Sequence, residues 1–201
     1  NVFTNQIFIP GKDPYKYNPE LYSKTNRFGH IGYSLLTNIG TVTDSTAIFD
    51  VVGTNAIIDW IFVEIRHKNN PEHLLATRSG LLQRDGDIVD IDGVSPLSFP
   101  DIQVDSMYIV LKHRNHLAVM SQKVAFGDLV DFTSSSTPIY NFDINYNGKD
   151  YSNLATNNRI KTGFRALWAG DFDSDGKIKF VNPDDDQNVL FANVVTYPLN
   201  Y

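Results

Sequence analysis

The amino-acid sequence predicts a mainly β protein: an antiparallel β-sandwich followed by a short calcium-loop and helix tail. Three observations carry that prediction. Runs rich in β-branched and aromatic residues recur at short spacing between residues 55 and 134, the pattern of strands joined by tight turns. No convincing stretch there shows the apolar spacing of an amphipathic helix. Towards the carboxy-terminal end, "GDFDSDGKIKFVNPDDD" (170–186) gathers six aspartates around a glycine, and "QNVLFANVV" (187–195) then has the apolar content of a short helix.

Composition narrows the classes. The 201 residues suffice for one domain with a core of its own. With 42% hydrophobic and 20% charged residues the chain is of the folded kind. A formal net charge of −6 has the wrong sign for a nucleic-acid surface. No apolar run approaches the ~20 residues of a membrane-spanning helix; the nearest candidate, "AIIDWIFVEI" (56–65), is short and broken by Asp59. The absence of cysteine excludes disulfides, thiolate-ligated zinc and a cysteine nucleophile. The chain begins at Asn1 without a methionine or a leader, which fits a processed or internal piece of a longer protein.

In chain order, residues 1–50 read as an irregular aromatic arm. "FIPGKDPYKYNPELY" (8–22), with three prolines and three tyrosines, suits an ordered loop lying on a surface, and "GYSLLTNIG" (32–40) holds at most a short strand. The sandwich core is expected over 51–135. "NAIIDWIFVEIRHK" (55–68) is a strand, with Trp60, Phe62, Glu64 and Arg66 on one face. "HLLATRSGLLQRDGDIVDID" (73–92) is a strand pair turning at Asp85-Gly86, the dipeptide suited to a two-residue hairpin. "SMYIVLKHRNHLAVMSQ" (106–122) is a second pair turning at "HRNH" (113–116), and "VAFGDLVDFTS" (124–134) adds one strand more. Residues 136–165, rich in Asn, Ser and Thr, form a polar connection, and 166–201 the metal-loop and helix tail.

The acidic stretch has the layout of a calcium loop. Calcium takes six to eight oxygen ligands, which a loop supplies when carboxylates recur at positions 1, 3 and 5, a glycine turns at 6 and a carbonyl points inward at 7. Asp171, Asp173, Asp175, Gly176 and Lys177 fill those positions, Lys177 through its carbonyl, and Ile178 follows as the apolar anchor. Position 12 is Asn182, followed by Pro183, so Asp184, Asp185 or Asp186 has to supply the last carboxylate. All these ligands are hard oxygens, which favours Ca2+ over zinc.

Three stretches, "IIDWIFVEIRHKNNPEHLLATRSGLLQRDGDIVDIDGVSPLSF" (57–99), "YIVLKHRNHLAVMS" (108–121) and "LWAGDFDSDGKIKF" (167–180), stand in this order. Together they resemble a family of large secreted and cell-surface bacterial proteins, hemagglutinin- or adhesin-like, often exported by the type IX secretion pathway. The resemblance spans roughly residues 50–195. It implies a β-sandwich module followed by a dockerin-like calcium loop, and by that match Asp186, just before "QNVLF", is the closing ligand. Asn182-Pro183-Asp184-Asp185 departs from the family pattern and leaves the choice among the three aspartates open.

Other constellations have a bland reading beside the sharp one. His113 and His116 in "KHRNH" would need a third ligand to hold zinc, nominally His67 or His73; a polar corner at a turn is the better expectation. Asp85, Asp87, Asp90 and Asp92 suggest a second calcium ion, or turn residues paired across the sheet with Arg66, Arg78 and Arg84. Trp60 suits a core and Trp168 a packing role beside the loop, which leaves Tyr15, Tyr17, Tyr22 and Tyr33 as an aromatic contact surface. No catalytic motif is present: no nucleophile elbow, H-E-x-x-H, phosphate-cradling loop or nucleotide fingerprint.

The expected function is therefore that of a non-enzymatic extracellular structural or adhesive module, stabilised by calcium and engaged in protein contacts or self-assembly at the cell surface. A surface filament is one such assembly. Neither membrane insertion nor nucleic-acid binding is expected. A different class, the glycan-binding module of a secreted polysaccharide-active enzyme, is the second expectation, with an exposed Trp or Tyr as its platform.

Overall fold

The computed structural model describes residues 45–113, 116–140, 165–172, 178–181 and 185–196. The aromatic arm up to residue 44, most of the polar connection, and Asp173, Asp175, Lys177 and Asp184 of the acidic loop lie outside the described residues.

The architecture is mainly β. A short helix α1 (Ser45–Phe49) leads into β1 (Ile57–His67), β2 (Asn70–Gln83), β3 (Ile88–Val89), β4 (Ser106–His113), β5 (His116–Met120) and β6 (Val124–Ala125), and helix α2 (Asp186–Thr196) ends the described chain. The six strands form one antiparallel sheet in the order β3-β2-β1-β4-β5, with β6 also on β4. Both β5 and β6 take the side of β4 that β1 leaves open, so they behave as one strand interrupted near residue 122. The interruption is local: Ser121 Oγ accepts the Ile109 amide at 3.0 Å while the Gln122 amide donates to Pro138 O at 2.9 Å.

Turn chemistry accounts for the hairpins, with one correction. The β2–β3 turn is not the two-residue loop expected at Asp85-Gly86. Gly86 N donates to Gln83 O at 3.0 Å and Gln83 N to Asp87 O at 2.8 Å, and Gly86, the turn's single glycine, carries a positive φ, +103°. That is a tight turn followed by a left-handed glycine bulge over Arg84–Gly86, one residue longer than the two-residue type. The β4–β5 hairpin pairs His113 with His116 across two residues. The strand expected over 124–134 is only Val124–Ala125, because the chain turns back at once: Asp128 N reaches Ala125 O at 3.2 Å.

Alternation along β1 sends two sets of side chains to opposite faces. Ile61, Val63 and Ile65, with Leu111 and Val119, line an apolar face. The connection from β3 to β4 runs from one edge of the sheet to the far side of β1, and its Leu97, Phe99, Ile102 and Val104 cover that face. The fit at Gly80 is close: a Cβ there would lie 2.9 Å from Val89 O and 3.2 Å from a Leu97 methyl. Arg78, the charged residue of β2 in this contact, is bonded to the connection itself, through Ser98 O and both oxygens of Asp90 at 2.8 Å.

The opposite face carries two apolar clusters and a polar strip. Trp60, Phe62 and Leu81 pack with Ile48 and Phe49 of α1; Val110, Leu117 and Met120 pack with Tyr108, Tyr140, Trp168 and Ile178. Trp60 is thus a core residue, fully buried. On the same face Glu64 and Arg66 have no exposed surface and Lys112 only 3%. Arg66 Nε donates to Glu64 Oε2 at 2.9 Å, and Lys112 Nζ forms an ion pair with the other carboxylate oxygen. Arg66 therefore pairs within its own strand and not with the acids of 85–92, whereas Arg78 does pair with one of them, Asp90. Burial pushes the Glu64 carboxyl up, but Lys112 and then Arg66 outweigh it and hold the group below the usual carboxylate range.

Candidate functional site

The tail reaches the sheet through a short run of backbone and side-chain contacts. Arg165 N donates to Thr133 O at 2.7 Å and Arg165 Nη1 to Thr137 O at 2.7 Å. Leu117 N donates to Trp168 O at 2.8 Å, and His116 bridges Ala169 in antiparallel sense. Trp168 and Ile178, on either side of the acidic loop, pack against the same cluster of Val110, Leu117 and Met120. Gly170, at φ +124°, lets the chain turn between them; a Cβ there would sit 3.2 Å from an Ile178 methyl. Ile178 thus anchors the loop to the sheet.

The loop closes on Asp186. Its Oδ1 accepts the Phe172 amide at 2.6 Å and its Oδ2 the Lys179 amide at 2.8 Å, while its own amide donates to Lys179 O at 3.1 Å. One carboxylate therefore ties the beginning of the loop to its end. Asp171 and Asp186 are both buried, with 3% and 2% of their surface exposed. Asp185 has a separate duty as the N-cap of α2: its Oδ1 accepts the Asn188 amide at 2.6 Å and its Oδ2 the Asn188 side-chain amide at 3.0 Å. Of the predicted ligands Asp171, Asp173, Asp175, Lys177 and Asp186, the described residues include the first and the last, at the two ends of the loop. Each Asp186 oxygen accepts a backbone amide.

The acids of 85–92 are engaged separately. Asp85 Oδ1 accepts the Asp87 amide at 3.3 Å within the turn, and Asp90 holds Arg78. Asp92 accepts the Ser95 hydroxyl and the amides of Val94 and Ser95, which lower its pKa. Among the described residues no group of three or more His, Cys, Asp or Glu side chains is set to hold a metal ion.

The polar corner expected at His113 and His116 is present, but sequence reasoning missed its third member, Asp59. Asp59 Oδ2 lies 3.1 Å from His113 Nε2, and His113 Nδ1 lies 2.8 Å from His116 Nδ1, with the two rings edge to face. His67 and His73 lie with each other instead, ring centroids 5.5 Å apart. His67 ends β1, eight residues and about 27 Å along the strand from Asp59, and His73 lies beside it on β2, so neither completes a site with His113 and His116. Burial, and then the charge of His113, bring the His116 pKa down to about 4, against a smaller upward pull from Asp59. The signal was present in "AIIDWIF", where a carboxylate interrupts an apolar strand; its partner is set by the pairing of β1 with β4, which spacing does not reveal.

No helix among the described residues is long and apolar enough to cross a membrane. Compared with family models, curated proteins and solved structures, the chain matches none of them.

Proposed function

We propose that this chain is a non-enzymatic, calcium-stabilised structural or adhesive module that works outside the cell, its sheet forming one layer of a β-sandwich. The observation that carries the reading is the clamp at Asp186, which joins Phe172 and Lys179 and so brings the two ends of the acidic loop together. A loop pinned at both ends and rich in carboxylates is pre-organised for a hard cation, and neutralising that charge would fasten the tail to the sheet. Extracellular calcium is high enough to fill even a site of about 10⁻⁴–10⁻³ M affinity. The resemblance to secreted hemagglutinin- and adhesin-like proteins points the same way. Exposed Phe180, Val181 and Phe191 in the tail offer apolar surface for a partner or a second copy. A glycan platform gains no support from the tryptophans, since Trp60 is core and Trp168 packs against Val110, Leu117 and Met120.

The test is thermal unfolding with calcium, with magnesium and with a chelator, on the wild type and on Asp173→Ala. A calcium-specific rise in Tm that the variant loses is expected. A Tm indifferent to chelation would remove the calcium lock and the extracellular argument with it.

A further inference from the structure

We propose that His67, His73 and Met107 form a copper-binding site, two imidazoles and a thioether set in a row across β2, β1 and β4. This inference does not rest on the calcium loop.

The row follows from the strand ladders. His67 stands two residues beyond Ile65 in β1 and so shares its face, the apolar one. Its partner in the regular β1–β4 ladder is Met107, which packs with Ile65 and Ala76 in the cluster of that face. Cross-strand partners carry their Cβ atoms about 4.5–5.5 Å apart, and the unbranched, flexible Met107 side chain can aim its sulfur into that gap. On the other flank the β1–β2 ladder is irregular between Ile65 and His67. There His73 lies beside His67, the ring centroids 5.5 Å apart and the planes 31° from parallel.

The spacing of the two rings suits a chelate. Imidazoles bound at about 2.0–2.1 Å have their centres about 3.2 Å from the metal, so two at a tetrahedral angle stand about 5.2 Å apart between centres. The observed separation is within about 0.3 Å of that. One contact has to be given up: His67 Nδ1 accepts the Asn69 amide at 3.3 Å. A metal on Nδ1 displaces that amide directly, and a metal on Nε2 displaces it by sending the ring proton to Nδ1. The bond is long and exposed, so the amide passes to water at small cost.

The donor set selects the ion. Imidazole suits several transition metals, whereas a thioether is a soft donor that favours Cu(I). His73 is exposed, His67 half-buried and Met107 buried, so the donors run from water into the apolar cluster. A soft, singly charged ion suits that gradient better than a hard, strongly hydrated one. Lys68, next to His67, is turned to Asp105, whose two oxygens both lie 2.6 Å from its ammonium, so its charge is met there and not at the imidazoles. Among the described residues no three His, Cys, Asp or Glu side chains form a metal group, and this trio is of another kind because its third donor is a methionine.

The experiment presents Cu(I) anaerobically to the full chain in competition with a colorimetric Cu(I) chelator, titrates Zn2+ separately, and records the X-ray absorption of the copper-loaded protein. One equivalent of Cu(I) should bind, with nitrogen and sulfur in its shell. The chain has one other methionine, Met120, buried in a cluster on the opposite face, so the sulfur is attributable to Met107. His73→Gln, at an exposed position, and Met107→Leu, which conserves apolar volume, should each weaken binding by at least about tenfold, the loss that even an outer partner of a metal ligand causes. Met107→Leu should also remove the sulfur from the shell and keep the nitrogens, while His116→Gln, at the other histidine pair, should leave binding intact. No saturable binding, a shell without sulfur, an affinity unchanged in His73→Gln or Met107→Leu, or Zn2+ bound more tightly than Cu(I) would overturn the proposal. Should a variant not fold, as circular dichroism would reveal, the wild-type absorption spectrum and the preference for Cu(I) over Zn2+ decide the matter.

Discussion

The two faces of the sheet are buried to similar depth by opposite means. On one, Ile61, Val63, Ile65, Leu111 and Val119 meet the apolar side chains of the β3–β4 connection, and the charged residue involved, Arg78, is neutralised by that same connection. On the other, Glu64, Arg66 and Lys112 are buried between two apolar clusters, with Thr77 and Ser79 fully buried beside them. The apolar face owes its stability to area and fit. The charged face depends on mutual satisfaction, because each buried charge is tolerable only while its counter-charge is present.

The largest expected effect breaks that dependence. Glu64→Ala leaves two cations buried without their carboxylate and should cost about 3–5 kcal/mol in urea unfolding. Replacing all three together, Glu64→Leu with Arg66→Met and Lys112→Met, should be neutral or stabilising by about 1–4 kcal/mol, because it turns the charged face into a copy of the apolar one. A single substitution costing no more than the triple would mean that the charges are not coupled. Next in size is Gly80→Ala on the apolar face, where the added Cβ meets Val89 O and Leu97 and the connection has to shift; a loss of about 1–3 kcal/mol is expected by the same measurement. An unchanged stability would mean that the connection yields.

The smallest effect sharpens the comparison at the rim of the apolar face, where Asp59 leads to the histidine pair. Folded His116 stays unprotonated down to about pH 4, while the unfolded chain takes that proton near its ordinary value of 6.5. Its contribution to stability is complete above about pH 6.5 and is lost progressively as the pH falls towards about 4. His116→Gln should flatten that decline in denaturant titrations at neutral pH and near pH 5, and equal slopes for the two proteins would assign the acid sensitivity to other groups.

Much of this was legible in the sequence because it was local. The alternation of Ile61, Val63 and Ile65 marks β1, and Asp85-Gly86 marks the following turn, although only pairing distances show that the loop takes in Arg84 as well. Ile178 as the apolar anchor beside the loop was legible from spacing, and the helix expected at 187–195 runs from Asp186 to Thr196. The double duty of Asp186, the capping role of Asp185 and the meeting of Asp59 with His113 were not, since each joins residues through folding rather than through spacing. Glu64 and Arg66 could be placed on one face, but their complete burial depends on how the rest of the chain is disposed around that face.

The bridge between His116 and Ala169 carries a consequence for the order of events in time. Strands β1 to β6 are joined by connections that close within the stretch 57–125, so the sheet can assemble as soon as that stretch is free to fold. The outer edge of β5 is met at one end by Ile139 and at the other by Ala169, which is synthesised more than fifty residues after His116. During synthesis, or during threading through any export pore, the sheet can therefore exist for an interval without the Ala169 bridge at that end of β5. An uncovered strand edge pairs with whatever strand arrives first. The arrival of residues 168–169 ends the interval, and a nascent chain halted before them would lack that bridge and the Leu117–Trp168 hydrogen bond.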